Sequence, residues 1–388
     1  MRFLLDGTVL QYPFSGIAKA TLGLYAACKE VDPSTEVIVA HRAPLAALPT
    51  FPCVPVRVPI PTGDERWRQT AIPLVALSVG HDVIHFPWNG HVPRFLTRRA
   101  PVVATVNDVL PLDIPGYFPH PRDESAYRRR IQSDLDRADL VTTISNYSCK
   151  RIVEEFRVAE DPCVIHLGVS LSERPETPKP ETPSTGHPTR ETTPAVDQPF
   201  FLFSGGFDPR KRVELAIAAV CELWNLHQFR IPLVVVGEVR LYSPELKRQF
   251  LRGTHMGAVR ALGYVSDASL RQLYSRAIAM IYPSRFEGFG LPPLEAMAEG
   301  CPVITCRATA IPEICGDAAL YLDATNELDS LVETLNRLVS DETCRQALAQ
   351  AGRLRARQFS WSTAAQTYLG AVHQRSGLYR REVGSLGS

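Results

Sequence analysis

The chain alternates, twice over, between short β-branched runs and stretches of helical periodicity. That alternation restricts the fold more than any other feature. In the first half the strand-like runs are "RFLLDG", "EVIVAHR", "VPVRVPI", "DVIHFP", "PVVATVND", "LVTTIS" and "CVIHLGV". In the second they are "FFLFSGG", "IPLVVVGEV", "VRALGYV", "IAMIYPS", "CPVITC" and "AALYLD". Strands separated in this way by helices belong in parallel sheets covered on both faces. At 388 residues the chain is also too long for one ordinary core. The expectation is an α/β protein of two doubly wound, Rossmann-like domains facing each other across a cleft, with ligands outside the carboxyl ends of the strands.

Local signals fill in the helices. "GIAKATLGLYAACKE" places Ile17, Leu24 and Cys28 on one helical face, and "NYSCKRIVEEF" starts after Ser145 or Asn146, either a competent N-cap. Two helices over about 326–356 and 361–376 are expected to finish the fold. The stretch "LSERPETPKPETPSTGHPTRETTPAVDQP" is dense in Pro, Thr and Glu and poor in large apolar residues, so it reads as a linker or extended loop. The expected division is a first domain at 1–171, a linker at 172–199 and a second domain at 200–360. A helix within 361–388 would pack back on the first domain and precede a tail.

Charge and composition narrow the function classes. Lys and Arg number 42 against 41 Asp and Glu, a net charge of +1, so no global field favours nucleic acid or an anionic membrane. Two arginine clusters, Arg94 to Arg99 and Tyr127 to Arg130, could make a weak peripheral membrane contact or meet an anionic acceptor. The competing reading is two solvated faces, the second blunted by Asp134 and Asp136. Nine scattered cysteines without a C-x-x-C suit a reducing compartment. The N-terminus lacks the long apolar core of a signal peptide, and no apolar run reaches membrane-spanning length, so a cytoplasmic protein is expected.

Three strand-to-helix loops carry the chemistry. In "FSGIAKA", Gly16 opens the first helix, where glycine lets backbone approach a ligand and free amides attract anions; a plain strand-to-helix turn reads the same way. No G-x-G-x-x-G accompanies it, so an ordinary dinucleotide fold is not indicated. In "SGGFDPRKR", Gly205 and Gly206 loosen the backbone while Arg210 and Lys211 stand where a helix begins. Cations there oppose the macrodipole and make sense if an anion neutralises them; a surface loop with two solvated charges is the competing reading. In "SRFEGFGLPPLEAMAEG", Pro292 and Pro293 fit a first helical turn and Glu295 falls in that turn, where it would gain from the dipole and cap orphan amides. Glu287, followed by Gly288 and Gly290, reads as a carboxylate in an exposed turn, placed to accept hydrogen bonds from the vicinal hydroxyls of a sugar or ribose.

"GGFDPRK", "GYVSDASLRQLYSRA" and "PSRFEGFGLPPLEAMAEGCPVIT…IPEICGDAALYLD" resemble the C-terminal half of glycosyltransferase family 4, retaining enzymes with the two-domain GT-B fold. "ADLVTTISNYSCKRIVEEF" and "HLGVS" resemble the end of that family's N-terminal domain. The resemblance implies a hexosyltransferase using a nucleotide-diphosphate sugar, with GDP-mannose and UDP-hexoses leading. The acceptor would be a hydroxyl of a glycan, a lipid-linked saccharide or a small molecule. It implies that Lys211 and Arg210 bind the diphosphate and stabilise the leaving group, that Glu287 faces the transferred sugar, and that Glu295 grips the ribose. Backbone of Phe289, Gly290 and Leu291 would lie near the diphosphate, and Tyr264, Val265 and Ser266 would flank the base. Gly16 would approach the phosphates from the other domain.

The chain departs from the pattern in places. Many relatives have histidine where Asn107 stands before Asp108, and arginine where Gly206 stands. Either Asn107 then offers an uncharged hydrogen bond beside the sugar or the sugar pocket differs, and Asp108 would reach an acceptor hydroxyl or cap a helix. Retention without an obvious nucleophile suggests front-face attack, in which the leaving phosphate takes the acceptor's proton. No cofactor beyond the donor is expected, and no metal where Lys and Arg neutralise the diphosphate. The D-x-D at Asp134 to Asp136 lies in a helical pattern and reads as paired with Arg130 or Arg137. Of His81, His85 and His91, the first reads as a cap and His85 as a core or cleft residue, while Trp88 either packs or stacks on a sugar. A glycoside hydrolase would share the two carboxylates but needs no phosphate-binding glycines or Lys211. A catalytically degenerate sugar-nucleotide- or glycan-binding module is the alternative from another class.

Overall fold

A computed structural model describes residues 1–12, 15–46, 49–60, 63–96, 100–171, 196–226 and 230–386, with side chains described to residue 377. Most of the expected linker, 172–195, therefore lies outside the described residues, as do Thr97, Arg98 and Arg99 of the first arginine cluster. The chain forms two compact units, Met1–Gly168 with Phe359–Ser388, and Val169–Gln358. Among the described residues no helix is long and apolar enough to cross a membrane.

The first unit holds a seven-stranded sheet, β1 (Arg2–Asp6), β2 (Glu36–His41), β3 (Val54–Arg57), β4 (Val83–Phe86), β5 (Val102–Thr105), β6 (Leu140–Thr143) and β7 (Cys163–Val164). The order is β3-β2-β1-β4-β5-β6-β7, and neighbouring strands pair in parallel throughout. Helices α1 (Gly16–Val31), α2 (Asp64–Ser78), α3 (Pro121–Arg137) and α4 (Asn146–Glu155) form the crossovers. Ser145, not Asn146, caps α4, its Oγ accepting from the Ser148 amide at 3.0 Å. The second unit holds a six-stranded parallel sheet. Its strands are β8 (Phe201–Ser204), β9 (Leu233–Val236), β10 (Val259–Gly263), β11 (Ala279–Tyr282), β12 (Val303–Thr305) and β13 (Leu320–Tyr321), ordered β10-β9-β8-β11-β12-β13. Its helices are α5 (Val213–Leu226), α6 (Pro244–His255), α7 (Asp267–Arg276), α8 (Leu291–Ala298), α9 (Ile311–Cys315), α10 (Glu327–Ser340) and α11 (Glu342–Ala356). The final helix, α12 (Trp361–Leu386), belongs to the first unit.

Side chains alternate across each strand, so β1 feeds two cores. Phe3 and Leu5 pack with Tyr25 of α1 and Tyr368 of α12, whereas Leu4 packs with Trp67 and Ile72 of α2. The face of α1 expected from Ile17, Leu24 and Cys28 is only partly the buried one. Ala18, Thr21, Tyr25 and Cys28 are buried, while Ile17 and Leu24 are half-buried. The reason is α12, which covers a second side of α1 that periodicity alone could not anticipate. The single helix expected over 326–356 is two, because Asp341 ends α10 with φ −109° and ψ 90° and caps α11 by accepting from the Cys344 amide at 2.8 Å. Burial pushes the thiols of Cys28, Cys301 and Cys315 up to about 12, as suits small apolar residues.

Seating of α12 depends on close backbone approach. A Cβ on Gly168 would lie 2.2 Å from the backbone nitrogen of Trp361, and one on Gly23 would lie 2.5 Å from its ring. The Tyr368 ring stacks on Phe3 at 5.9 Å, and the Tyr25 and Tyr368 hydroxyls meet at 3.3 Å. Gly168→Ala is expected to destabilise by about 1–3 kcal/mol, the range for overpacking, since helix backbone rather than a flexible side chain must move. A lowered first-unit melting transition measures it; an unchanged one would show that α12 is seated otherwise.

Candidate active site

In the second unit the strand order reverses between β8 and β11, neighbours in the sheet from which the chain departs in opposite directions. Loops leaving such a pair diverge and open a crevice at the carboxyl ends. The loop after β8 carries Gly205, Gly206, Arg210 and Lys211, and the loop after β11 carries Glu287 through Gly290. The two sequence motifs thus meet at the switch point of one sheet.

The β8 loop is built on positive φ. Gly205 has φ 121° and Gly206 φ 70°, and a Cβ on Gly205 would lie 2.3 Å from Lys211 Nζ. That Nζ instead donates to the Gly205 carbonyl at 2.8 Å. Arg210 and Lys211 do not begin an α-helix, as expected from sequence, but sit in a 3-10 turn, Pro209–Lys211, capped by Asp208, whose Oδ1 accepts from the Arg210 amide at 3.0 Å. Arg212, left-handed at φ 56°, separates the turn from α5. Opposition to the helix dipole is therefore not what these cations contend with. Arg210 donates to the Phe286 carbonyl at 2.7 Å and pairs with Glu287 Oε1 at 2.8 Å. Lys211 is 9% exposed, and burial lowers its pKa from the ordinary lysine value, with Arg210 adding to the shift and Glu287 opposing it.

Glu287 is not the exposed carboxylate expected of a turn. It is 8% exposed, and its Oε1 accepts from Tyr282 Oη at 2.6 Å and Ser284 Oγ at 2.8 Å besides meeting Arg210. Its amide donates to Thr309 Oγ1 at 2.9 Å and its carbonyl accepts from the Ala310 amide at 3.3 Å. The turn is buried because the segment after β12 closes over it, with Thr309 itself left-handed at φ 50°. Burial alone would raise the carboxyl's pKa, but Arg210 and Lys211 with the Tyr282 hydrogen bond outweigh it, leaving the group below its usual range. All three side-chain contacts end on Oε1, so Oε2 is outside this set. Sequence alone assigned no role to Tyr282, Ser284 or Thr309, although the first two sit in the same "IYPSRFEG" run as Glu287.

Glu295 also departs from expectation. Helix α8 starts at Leu291 with Gly290 as its N-cap at φ 109°, so Glu295 is the fifth helical residue and lies beyond the first turn. It is half-buried, and the N-cap position itself belongs to Gly290. A Cβ on Gly290 would come within 2.8 Å of Ile311 Cδ1, which explains glycine there. Phe289 is buried and Leu291 half-buried. Tyr264, Val265 and Ser266 follow β10 at the same sheet edge, and Ser266 Oγ is engaged in capping α7, accepting from the Ser269 amide at 3.2 Å.

Gly16, Asn107 and Asp108 belong to the first unit. Gly16 is exposed at the start of α1, capped by Ser15, with open space where a Cβ would stand. Asn107 is buried; its Nδ2 donates to the Pro87 carbonyl at 3.1 Å and its amide to Asn89 Oδ1 at 2.8 Å. Asp108 Oδ1 accepts from the Leu110 amide at 3.2 Å, a local turn of the capping kind. Asn107 lines a small, mostly apolar pocket with His85, Thr105, Trp361 and Tyr368. His85 hydrogen-bonds Tyr25 Oη and Thr105 Oγ1, each at 2.8 Å, and burial lowers its pKa to about 3, so the ring is neutral. Asp134 of the D-x-D accepts from the amides of Gly90, His91 and Val92, with the Arg137 charge acting on it as well. Among the described residues no three His, Cys, Asp or Glu side chains are placed to hold a metal ion.

Comparison with known proteins gives this arrangement a context. Residues 16–173 match the family described as Glycosyltransferase Family 4, and residues 189–355 match Glycosyl transferases group 1. An O-antigen chain mannosyltransferase B of Escherichia coli is 32% identical over 287 residues, covering 74% of this chain and 73% of that protein. The serotype-specific mannosyltransferase WbdA of Escherichia coli is 25% identical over 319 residues, 78% of this chain but 38% of the longer relative. Among solved structures, Anabaena Alr3699/HepE in complex with UDP and glucose superposes with a TM-score of 0.71 at 17% identity, over 96% of this chain and 100% of that one, which shows a shared fold. The chain belongs to glycosyltransferase family 4, a glycosyltransferase with the GT-B fold of two parallel-sheet, Rossmann-like domains.

Proposed function

We propose that the enzyme transfers a mannosyl group from a nucleoside-diphosphate mannose, with GDP-mannose the first donor to test, to a hydroxyl of a saccharide acceptor of the O-antigen type, with retention of anomeric configuration. Support for mannose and for a polysaccharide acceptor comes from the names of the relatives, and a nucleotide-sugar donor fits the UDP and glucose bound in the HepE structure. The observation that carries the reading is the convergence of Arg210, Lys211 and Glu287 at the β8–β11 switch point.

In this reading the bond between the anomeric carbon and the phosphate oxygen breaks while the acceptor oxygen bonds to the same face, and the acceptor's proton passes to the leaving phosphate. Negative charge grows on that phosphate as the bond breaks. Arg210 and Lys211, fixed in advance and largely removed from water, stabilise it without reorganising at the moment of reaction. They supply the positive charge the step needs, so the proposal requires no metal and no cofactor besides the donor. Glu287 is positioned by its three Oε1 contacts to present Oε2 to a sugar hydroxyl. Glu295 would accept from the ribose. With Ser266 Oγ engaged as a cap, recognition of the base falls to main chain at Tyr264–Ser266.

Transfer from GDP-mannose to a mannan oligosaccharide, followed by proton NMR of the new anomeric signal, tests the chemistry. An α-linked product from the α-linked donor is expected, and Glu287→Gln should lower kcat by about 10²-fold or more. A β-linked product, or no turnover in the presence of donor binding, would contradict the proposal. Lys211 adds a pH signature. Since its pKa lies below that of a free lysine, affinity for the nucleoside diphosphate should weaken as pH rises through that lowered value, before the ordinary 10.5. Lys211→Arg, which stays charged, should bind without that alkaline loss in calorimetric titrations; the same loss in both proteins would take Lys211 out of the phosphate site.

A further inference from the structure

Glu327 lies outside the sequence motifs of the two site loops. It opens α10, directly after Asn326, and its side chain is 13% exposed. Arg212 clasps it with both prongs, Nη1 to Oε1 at 2.8 Å and Nη2 to Oε2 at 2.5 Å. Oε2 also accepts from Arg285 Nη2 at 2.9 Å. The Arg212 hydrogen bonds lower the carboxyl's pKa below its usual range against burial, so the group is charged at neutral pH.

The two arginines come one from each site loop and converge on this carboxylate. Arg212 follows Lys211 and ends the 3-10 turn in a left-handed conformation that a non-glycine residue holds only where its surroundings impose it. Arg285 stands two residues before Glu287, and its amide donates to the Arg210 carbonyl at 3.1 Å. Ser284 Oγ, whose proton is directed at Glu287, lies 3.2 Å from that same carbonyl. One carboxylate therefore ties the turn bearing the two cations to the loop bearing the sugar-facing glutamate. Two guanidiniums on one carboxylate also leave a net positive charge beside the site, with Arg285 about half exposed.

We infer that Glu327 is a positioning residue for glycosyl transfer, holding the Arg210–Lys211 turn and the Glu287 loop at a fixed separation through Arg212 and Arg285 without touching substrate. This rests on the reading of those two loops as phosphate- and sugar-binding. Displacement of a preorganised charge weakens transition-state stabilisation more than ground-state binding. The test is steady-state kinetics of Glu327→Gln, which preserves shape and removes charge, alone and combined with Lys211→Met. Expected are a kcat lower by about 10- to 100-fold, a donor KM within roughly threefold of wild type, and a double variant less impaired than the product of the single effects. The melting temperature should fall as two guanidiniums lose their charged partner, so rates are compared well below it, and Glu327→Asp should recover part of the rate. A wild-type kcat, or a loss that multiplies with Lys211→Met, would overturn the inference while leaving the proposed function standing. A wild-type protein that neither binds nor turns over the donor would remove both. Should Glu327→Gln not fold, Arg285→Met carries the test at the more exposed partner. A several-fold lower kcat, sub-multiplicative with Lys211→Met, supports the inference, and an unchanged kcat overturns it.

Discussion

The pairing of Glu287 with Arg210 is the interaction on which the site depends. A carboxylate this deeply buried is costly unless matched, and truncating one partner of a buried ion pair typically costs about 3–5 kcal/mol. Here the match is threefold, a guanidinium and two hydroxyls on one oxygen, while the backbone of the same residue is clamped by Thr309 and Ala310. Charge-assisted hydrogen bonds of this kind contribute about 1.5–3 kcal/mol each. The expense of burying the charge is met locally, and the result is a glutamate with one oxygen tied and a buried lysine beside it. Neither would be so placed in an open loop.

Everything else in the second unit serves to bring those loops together. Parallel pairing of β8 with β11, at the one point where strand order reverses, sends two loops to the same crevice from segments far apart in sequence. Glycines at 205, 206 and 290 let the backbones fold into conformations that side chains resist, and in the first and last cases the space for a Cβ is already occupied by Lys211 and Ile311. The first unit repeats the architecture with different contents at its strand ends. There the polar groups are inward and mutually satisfied, as in the chain from Tyr368 through Tyr25 and His85 to Thr105 and Thr142. Such a network fixes the neutral ring and orders the apolar pocket around it.

The sheets and their order of helices were legible in the sequence because alternation of β-branched and helical runs is a local signal. The residue types of the candidate site also stood out there, since glycine, lysine and glutamate at strand-to-helix loops carry chemical meaning by their kind and spacing, and the structure brings those two loops together. What sequence could not supply was the environment. Glu287 read as exposed because its neighbours are Gly288 and Gly290, whereas its burial is decided by Thr309, distant in the chain. Arg210 and Lys211 read as helix-starting because "PRKR" precedes a good helical pattern, and only the left-handed Arg212 shows that a 3-10 turn intervenes. Glu295 was displaced by the same uncertainty of a few residues in where α8 begins. The buried face of α1 escaped periodicity because α12, the last element of the chain, packs against it. Glu327 carried no local signal at all; its partners are two arginines that ordinary reading leaves in solvent.

In the proposed function Arg210 and Lys211 hold the donor's diphosphate beside Glu287. A crystal structure of the protein with GDP or a non-hydrolysable GDP-mannose analogue tests it most directly. Phosphate oxygens are expected within hydrogen-bonding distance of both Lys211 Nζ and the Arg210 guanidinium, with the analogue's sugar hydroxyls at Glu287 Oε2. A diphosphate bound away from the β8–β11 switch point, with Lys211 still donating to the Gly205 carbonyl alone, would contradict it.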